Sequence, residues 1–240
     1  MNSETKKISV AMATYNGEKY IKKQIETILK NLKDDDELVI SDDGSSDMTV
    51  EIIKSFNDKR IKLIDGPKNG LKKNFENAIK NTMGDYIFLS DQDDIWMEDK
   101  VEKVIECFNS NNYILIQHDA IVVDENDNVI FDSFAEHRKV KTGIIKNLIK
   151  NSYHGCCIAF RKELKDRILP IPNNVYLHDQ WIGMIAELEG KTYFLNEILM
   201  KYRRHSENNS SFKHLPVIKM FINRVNYTKE LIKYKKEKEK

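Results

Sequence analysis

Two acidic segments contain the residues whose types and spacing are best suited to chemistry. Ser-Asp-Asp-Gly-Ser-Ser-Asp at residues 41–47 and Ser-Asp-Gln-Asp-Asp at residues 90–94 each follow a short apolar run. If both runs are strands of one parallel sheet, the carboxylates meet at the edge where open α/β folds bind ligands. Two like charges 4 Å apart repel by roughly 4 kcal/mol at an effective dielectric of about 20. The group therefore requires hydrogen-bond donors or a cation, such as a divalent metal that carries a phosphorylated ligand.

The second segment is the stronger candidate for a metal site. Asp91, Asp93 and Asp94 lie within four residues at a strand end, and they cost stability unless a ligand uses them. Alternate spacing across a turn lets Asp91 and Asp93 present oxygens to one hard cation, while Gln92 points elsewhere. Mg²⁺ or Mn²⁺ held by one or two carboxylates and substrate phosphates is the usual arrangement. The first segment has an equally good interpretation as a turn and helix cap, because Asp, Ser and Gly favour such positions.

Strands and helices alternate along the first half of the chain and would position both segments. Strand-like apolar runs at 8–12, 37–40, 61–64 and 86–89 are each followed by apolar residues at helical spacing. This rhythm predicts a parallel, doubly wound sheet for residues 1–110. The second half, residues 111–212, looks mixed. Its helical segments are 143–151 and 179–189, and its strand-like runs are 113–116, 120–123, 129–131, 192–195 and 198–202.

Length and charge limit the classes of protein to consider. A chain of 240 residues with a net charge of +1 fits one large domain, and it has no global field that would attract nucleic acid. The charge is uneven, because residues 213–240 carry nine basic and three acidic residues. We therefore divide the chain into a domain of residues 1–212 and a basic amphipathic C-terminal helix of residues 213–240. Such a helix can lie on an anionic membrane, or it can pack on the domain with a frayed end.

The cysteines and the apolar runs favour an intracellular protein. Cys107, Cys156 and Cys157 lack the spacing of a disulfide framework or a zinc site, which suits the reducing cytoplasm. The apolar run after Lys7 has only six residues, so we expect a buried strand rather than a cleaved signal peptide. No run approaches the roughly 18 apolar residues of a membrane-spanning helix. We expect a cytoplasmic protein; the membrane-bound alternative for the C-terminal helix would place it at the inner face of the cytoplasmic membrane.

Three segments, in their order and spacing, resemble family-2 nucleotide-sugar glycosyltransferases. They are Val-Ala-Met-Ala-Thr-Tyr-Asn-Gly at 10–17, Val-Ile-Ser-Asp-Asp-Gly-Ser-Ser-Asp at 39–47, and residues 84–96 around Ser-Asp-Gln-Asp-Asp. Among bacterial members, the chain looks most like the rhamnosyltransferase-like enzymes that build surface polysaccharides. The resemblance implies an α/β fold of the GT-A type: a Rossmann-like, mostly parallel central sheet flanked by helices. It also implies Mg²⁺ or Mn²⁺ as a cofactor.

The resemblance also implies roles for individual residues. Its Asp-X-Asp motif maps onto Asp91 and Asp93, which would hold the metal and the donor diphosphate. A Tyr-Arg-X-His-like segment implies that Arg204 binds the donor phosphates and that His205 reaches both donor and metal, although a basic cluster is more often a solvated surface. The remaining positions that match or adjoin the family's donor site are Thr14, Tyr15, Asn16, Asp42, Asp43, Asn74 and Gln92.

An inverting member of this family needs a carboxylate that takes the proton of the acceptor hydroxyl. His178-Asp179-Gln180-Trp181 fits the expected position, so Asp179 is the candidate general base. An aspartate before an amphipathic run is also a good helix N-cap. His178 and Trp181 are candidate acceptor contacts, and a core tryptophan is an equally good interpretation of Trp181.

The resulting prediction is a metal-dependent inverting glycosyltransferase. It would move a sugar from a nucleoside-diphosphate sugar, with dTDP-rhamnose as one candidate, to a glycan or lipid-linked acceptor of surface polysaccharide. Two alternatives stay open. A sugar-nucleotide pyrophosphorylase shares a related sheet but requires a Gly-rich basic loop, which Thr14-Tyr15-Asn16-Gly17-Glu18 does not provide. A non-catalytic nucleotide- or carbohydrate-binding module would bind a nucleoside diphosphate without turnover. The absence of Gly-X-Gly-X-X-Gly after a strand disfavours an NAD dehydrogenase.

Overall fold

A single mixed β-sheet organises the described part of the chain. The structure is a computed structural model, and it describes residues 6–205 and 216–239. The strand bounds are β1 Ile8–Thr14, β2 Glu37–Asp42, β3 Ile61–Asp65, β4 Tyr86–Ser90, β5 Ile95–Trp96, β6 Tyr113–Val123, β7 Val129–Phe131, β8 Ile158–Arg161 and β9 Lys191–Arg203. In the sheet these strands follow the order β3-β2-β1-β4-β8-β6-β9-β5, with β7 paired to β6.

Helices cover both faces of this sheet and produce two apolar cores. One core lies under α1 and α4, and the other lies under α3, α7 and α8. The strands between them are almost continuously apolar, because both of their faces are buried. The helix bounds are α1 Ile21–Asn31, α2 Thr49–Ser55, α3 Leu71–Lys80, α4 Lys100–Ser110, α5 Phe134–Arg138, α6 Ile144–Ile149, α7 Lys162–Ile168, α8 His178–Glu189 and α9 Val217–Lys238, and Gly155–Cys157 form one 3₁₀ turn.

The parallel half brings the two acidic segments to one edge. Strand β1 pairs with β2 on one side and with β4 on the other, both in parallel. Thr14 pairs with Asp42, and Met12 pairs with Ser90, so the carboxyl ends of all three strands lie together. The sequence prediction of a mostly parallel central sheet flanked by helices is confirmed.

The second half is mixed, as predicted, but its strands are longer than the apolar runs suggested. Strand β8 is antiparallel to both β4 and β6, whereas β6 and β9 are parallel. The predicted runs 113–116 and 120–123 form one continuous strand, because the polar residues between them are buried and bonded within the fold. Gln117, for example, donates a hydrogen bond to the carbonyl of Ser152 at 3.0 Å, and Asp119 accepts one from the N–H of Ala135 at 2.8 Å.

A C-terminal helix is present, and part of it packs on the domain. In α9, Tyr227 is buried, and its hydroxyl exchanges hydrogen bonds with the backbone N–H and carbonyl of Leu177, both at 2.9 Å. The expected boundary between residues 212 and 213 lies outside the described residues. Among the helices in the described ranges, none combines the length and apolar character needed to cross a membrane.

Candidate donor-binding and catalytic site

The first acidic segment forms the turn that follows β2. The carboxylate of Asp42 accepts hydrogen bonds from the N–H groups of Gly44 and Ser45 at 3.1 and 2.9 Å. The carboxylate of Asp43 accepts one from the N–H of Gly70 at 2.8 Å, directly before α3 begins. These contacts match the turn that the sequence left open as an interpretation, whereas the N-cap of α2 is Met48, which makes no side-chain cap hydrogen bond. They also fix the shape of the edge at which Asp42 and Asp43 were expected to meet the donor.

Gln92 joins the loop after β4 to the loop after β1. Its Oε1 accepts hydrogen bonds from the hydroxyl of Thr14 at 2.5 Å and from the N–H of Tyr15 at 2.9 Å. Its Nε2 donates to the carbonyl of Tyr15 at 3.1 Å. The N–H of Asn16 donates to the hydroxyl of Ser45 at 2.9 Å, which ties the β1 loop to the β2 loop. The ring of Tyr15 is 56% exposed, so it is available to stack on a ligand above these loops.

Asn74 lies beneath the loops rather than at their surface. It is 2% exposed, and its Nδ2 donates to the carbonyl of Thr14 at 3.1 Å and to that of Ser41 at 2.8 Å. Helix α3 therefore holds the ends of β1 and β2 together through one amide. The neighbouring Lys72 donates to the backbone carbonyls of Pro172, Asn173 and Val175, so its charge serves the packing of α3 against the segment before α8.

The second acidic segment is different, because its carboxylates lie close to one another. One carboxylate oxygen each of Asp91 and Asp94 lies within 4.8 Å of the other and of the Cys156 sulfur. Burial and then the charge of Asp93 raise the pKa of Asp91 to about 7, and the same causes raise the pKa of Asp94 well above its usual value. The Oδ2 of Asp94 is buried without a hydrogen-bond partner among the described residues. The surrounding protein therefore does not fully stabilise the ionised forms of these carboxylates.

Asp93 contacts His205, one of the residues expected at the donor phosphates. His205 Nε2 lies 2.7 Å from Asp93 Oδ2, and the His205 ring lies 4.7 Å from the ring of Tyr20. The neighbouring Arg204 donates to the hydroxyl of Tyr202 at 3.0 Å, which keeps its guanidinium beside the end of β9. The structure thus brings Asp91, Asp93 and His205 to one region. The rest of the predicted segment, residues 206–210, lies outside the described residues.

Asp179 lies in the first turn of α8 and faces the same region. It is not the N-cap, because that position is Leu177. Its Oδ1 accepts hydrogen bonds from the N–H of Gln180 at 2.6 Å and from the amide of Asn151 at 3.3 Å. Burial raises the pKa of Asp179 to about 7 in spite of these bonds, and its charge in turn raises the pKa of Asp91. A carboxyl with a pKa near neutrality is suited to accept a proton at physiological pH.

The two residues expected to contact the acceptor are buried. Trp181 is 3% exposed, and its indole N–H donates to the carbonyl of Ile168 at 3.0 Å, as in a core tryptophan. His178 is 7% exposed and stacks on Phe75 with ring centroids 4.1 Å apart. Burial lowers the pKa of His178 to about 3, so its ring is neutral. Neither position supports the expected contact with a sugar, because helix α8 turns both rings toward the core formed with α3 and α7.

Two basic residues support the carboxylates, and sequence reasoning missed one of them, Lys100. Lys100 is 1% exposed; its ammonium donates to the carbonyl of Cys156 at 3.0 Å and lies 3.9 Å from the ring centroid of Trp96. Arg203 is 5% exposed; its side-chain Nε donates to the carbonyl of Asp93 and its backbone N–H donates to Oδ1 of Asp94, both at 3.0 Å. Lys100 precedes Val104 by four residues on a helix, so helical periodicity alone places it on the buried face.

The cluster formed by the carboxylates of Asp91, Asp93 and Asp94 is suited to bind a hard divalent cation. Its donors are carboxylate oxygens, one buried oxygen lacks a partner in the described chain, and mutual repulsion raises the pKa of Asp91. Mg²⁺ and Mn²⁺ favour such oxygen ligands. Asp91 and Asp93, with Asp94 and His205 beside them, are the residues that would hold the ion.

Comparison with known sequences identifies the family. The sequence profile of glycosyl transferase family 2 matches residues 9–169. An uncharacterized glycosyltransferase of Nostoc is 26% identical over 85% of this chain and 66% of its own length. The dTDP-rhamnosyl transferase RfbG of Shigella flexneri is 29% identical over 84% of this chain and 75% of its own length. The Escherichia coli enzyme named UDP-Glc:alpha-D-GlcNAc-diphosphoundecaprenol beta-1,3-glucosyltransferase WfgD is 29% identical over 87% and 82%.

Solved structures support the same fold. TarS of S. aureus in complex with UDP-GlcNAc aligns with a TM-score of 0.70 at 21% identity, covering 87% of this chain and 62% of that chain. The Pyrobaculum calidifontis mannosyltransferase PcManGT, in complex with GDP-Man and Mn²⁺, aligns with a TM-score of 0.65 at 18% identity over 85% and 59%. This chain therefore spans slightly less than two thirds of the TarS chain and of the Nostoc relative. On the sequence match and the shared GT-A fold together, the chain belongs to glycosyl transferase family 2.

Proposed function

We propose that this chain is a metal-dependent, inverting glycosyltransferase with Asp179 as general base and Asp91 and Asp93 as metal ligands. The observation that carries the proposal is the group of carboxylates at the carboxyl edge of the sheet. Burial raises the pKa of Asp91, and the charges of Asp93 and Asp179 raise it further. A purely structural group of this kind would be destabilising, because like charges repel and burial penalises each of them.

The residues of the chain then have separate tasks. The loops held by Gln92 and Asn74 bind the nucleoside, with the exposed ring of Tyr15 against the base. A divalent cation bound by the carboxylates would act as a Lewis acid that offsets the charge of the diphosphate leaving group. Asp179 takes the proton from the acceptor hydroxyl, and that oxygen forms a bond to the anomeric carbon. The bond from this carbon to the diphosphate oxygen breaks, and its electron pair leaves with the nucleoside diphosphate.

The donor and the acceptor are proposed from the relatives. The similarity to RfbG favours dTDP-rhamnose as a donor, and the similarity to WfgD favours an acceptor carried on a lipid diphosphate. Both fit surface polysaccharide synthesis. The comparisons favour neither a pyrophosphorylase nor a non-catalytic binding module, since each named relative is a glycosyltransferase.

The deciding experiment measures turnover of a panel of nucleotide sugars. The full chain is incubated with dTDP-rhamnose, UDP-glucose, UDP-GlcNAc or GDP-mannose and with a sugar carried on a lipid diphosphate as acceptor, in the presence of Mn²⁺, Mg²⁺ or EDTA, and release of the nucleoside diphosphate is measured. We expect release only with a divalent ion. Asp179→Asn should lower the rate by about 10²–10⁴-fold, because it removes the general base while the donor still binds.

A matched control separates this effect from general damage. Asp85→Asn changes an aspartate before β4, at the opposite edge of the sheet, and it should retain full turnover. NMR of the product should show the opposite anomeric configuration from the donor. Retention of configuration contradicts the single displacement, and full activity of Asp179→Asn contradicts the assignment of the base. Binding of a nucleoside diphosphate and Mn²⁺ without turnover of any donor would instead favour a binding module.

A further inference from the structure

Two helices expose an apolar patch on one side of the molecule. In α6, Ile145 and Ile149 are 76% and 61% exposed, and they lie one helical turn apart on the same face. The first turns of α9 expose four more large apolar side chains. They are Val217, Ile218, Phe221 and Ile222, with exposed fractions of 81%, 73%, 64% and 49%.

The two helices pack together, so these side chains belong to one surface. Helices α6 and α9 are in contact, and the guanidinium of Arg224 donates to the carbonyl of Ile149 at 2.9 Å. Phe221 precedes Arg224 by three residues and therefore lies on the same side of α9. We call the six residues Ile145, Ile149, Val217, Ile218, Phe221 and Ile222 the α6–α9 face. An exposed apolar surface built from two elements marks an interaction site in a folded protein.

The charged side chains within the two segments that carry this face have a single sign, and the acidic side chain next to α6 is Glu187 of α8, which accepts from the N–H of Gly143 at 2.9 Å. Every charged residue from 138 to 150 is basic, and so is every charged residue from 217 to 229. These eight residues are Arg138, Lys139, Lys141, Lys146, Lys150, Lys219, Arg224 and Lys229. The chain as a whole is nearly neutral, with 39 basic and 38 acidic residues, so the composition does not account for this segregation. Apolar side chains with surrounding Lys and Arg are the pattern by which interfacial helices bind anionic lipid.

The α6–α9 face lies close to the candidate base. Helix α6 ends at Ile149, and two residues later Asn151 donates to the carboxylate of Asp179 at 3.3 Å. The carbonyl of Asn147, within α6, accepts a hydrogen bond from the side chain of Gln180 at 2.7 Å. Helix α6 therefore separates the apolar surface from the carboxylates by about one helix diameter, roughly 10 Å.

We propose that the α6–α9 face docks on an anionic membrane surface and presents the Asp179 side of the site to acceptors carried in that membrane. The part concerning acceptors rests on the proposed function, whereas the docking itself does not. Ile145 and Phe221 would enter the boundary between head groups and acyl chains, and the surrounding lysines and arginines would contact the head groups. The second half of α9 stays on the domain through Tyr227 and Leu231, so only its first turns enter the interface.

Vesicle sedimentation of the full chain tests the docking. We expect sedimentation with vesicles that contain phosphatidylglycerol, weak sedimentation with phosphatidylcholine alone, and release by salt, because the head-group contacts are screened. Phe221→Glu and Ile145→Glu should each lower the partition into anionic vesicles by roughly tenfold, because each places a negative charge in the docking face. Met83→Glu is the matched control; Met83 is 67% exposed and lies in the turn before β4.

Several results would overturn the proposal. They are absence of sedimentation with anionic vesicles at low salt, an equal loss in Met83→Glu, and full binding by the Phe221→Glu and Ile145→Glu variants. Light scattering in which Phe221→Glu converts a dimer to a monomer, with no vesicle binding by either, would assign the face to a second copy of the chain. The thermal shift caused by nucleoside diphosphate and Mn²⁺ is measured in parallel. If vesicles bind but no nucleotide does, the proposed function fails and the docking face stands.

Discussion

The two acidic segments look alike in sequence but differ in how their charges are satisfied. After β2, Asp42 and Asp43 accept hydrogen bonds from backbone N–H groups of the adjoining turns. After β4, Asp91 and Asp94 face each other and a buried sulfur, and one oxygen of Asp94 has no partner among the residues that the structure describes. The first segment stabilises the loops of the site, whereas the second keeps charge available for a ligand.

This difference shows what distinguishes a turn-forming carboxylate from a ligand-binding one. A carboxylate that accepts two or three backbone hydrogen bonds is already stabilised in its ionised form. One that is buried beside other carboxylates gains most when a cation arrives, and until then its protonated form is favoured. The raised pKa of Asp91, about 7, is the measurable sign of this second condition.

The largest expected effect is on catalysis. Asp93→Ala should lower metal-dependent turnover by at least about 10²-fold, the scale of losing one electrostatic stabiliser in an active site. Asp42→Asn keeps the side-chain carbonyl that can accept from Gly44 and Ser45, so it should lose less than about tenfold. Release of nucleoside diphosphate under saturating Mn²⁺ measures both. Comparable losses in the two variants would remove the functional distinction between the segments.

The next effect is on stability, and here the two segments should respond in opposite directions. Asp42→Ala leaves the partly exposed N–H groups of Gly44 and Ser45 without their carboxylate acceptor and should lower the free energy of unfolding by about 0.5–1.5 kcal/mol. Asp91→Asn removes a repelling charge and should raise the free energy of unfolding near pH 8. The pKa of Asp91 in the folded protein lies above its value in the unfolded chain. The contribution of the Asp91 carboxyl to the free energy of unfolding is therefore fully present below about pH 4 and is lost as the pH rises through about 7.

Urea unfolding at several pH values checks this sign. In metal-free buffer, the wild type should lose stability between about pH 4 and pH 7, whereas Asp91→Asn should lose less of it. Below about pH 4 the two proteins should differ little, because Asp91 is protonated there in both the folded and the unfolded state. A variant that is less stable than wild type at every pH would mean that the Asp91 carboxylate forms structural bonds like those of Asp42.

The smallest effect concerns Lys100. Its buried ammonium lowers the pKa of Asp91, although burial and the other carboxylates have larger effects. Lys100→Met should therefore move the pH at which Mn²⁺ binding reaches half its maximum upward by less than about one pH unit. Mn²⁺ titration across pH measures the shift, and Lys103→Met, at an exposed position in the same helix, serves as the control. An unchanged midpoint would show that Lys100 acts only through packing.

Much of the first half could be predicted from the sequence, because local patterns there coincide with the tertiary structure. Strands β1, β2 and β4 are apolar runs that end in polar segments, and parallel pairing then requires those segments to meet. Asp179 was expected beside Asp91 and Asp93 only through the family resemblance, since periodicity cannot join residues so far apart along the chain. The second half was harder because buried polar residues such as Gln117 and Asp119 interrupt apolar runs that the sheet keeps continuous.

The burial of Trp181 and His178 could not be read from their residue types. Both lie on α8, where nine of twelve residues are buried, so the helix has little polar face to reveal its orientation. The sequence predicted only the α9 part of the α6–α9 face. The apolar residues of α9 indicated an amphipathic helix, but the contribution of α6 depends on its contact with Arg224.

The side chain of Gln92 limits the size of the residue at position 17. Its amide bonds to both backbone groups of Tyr15, as a neighbouring main chain would, and so extends the sheet beyond the point where β1 and β4 diverge. A methyl group on Gly17 would come within 2.5 Å of Gln92 Oε1. A larger residue at position 17 should therefore be tolerated only when Gln92 is also replaced. A relative with a larger residue at position 17 should lack the glutamine at position 92.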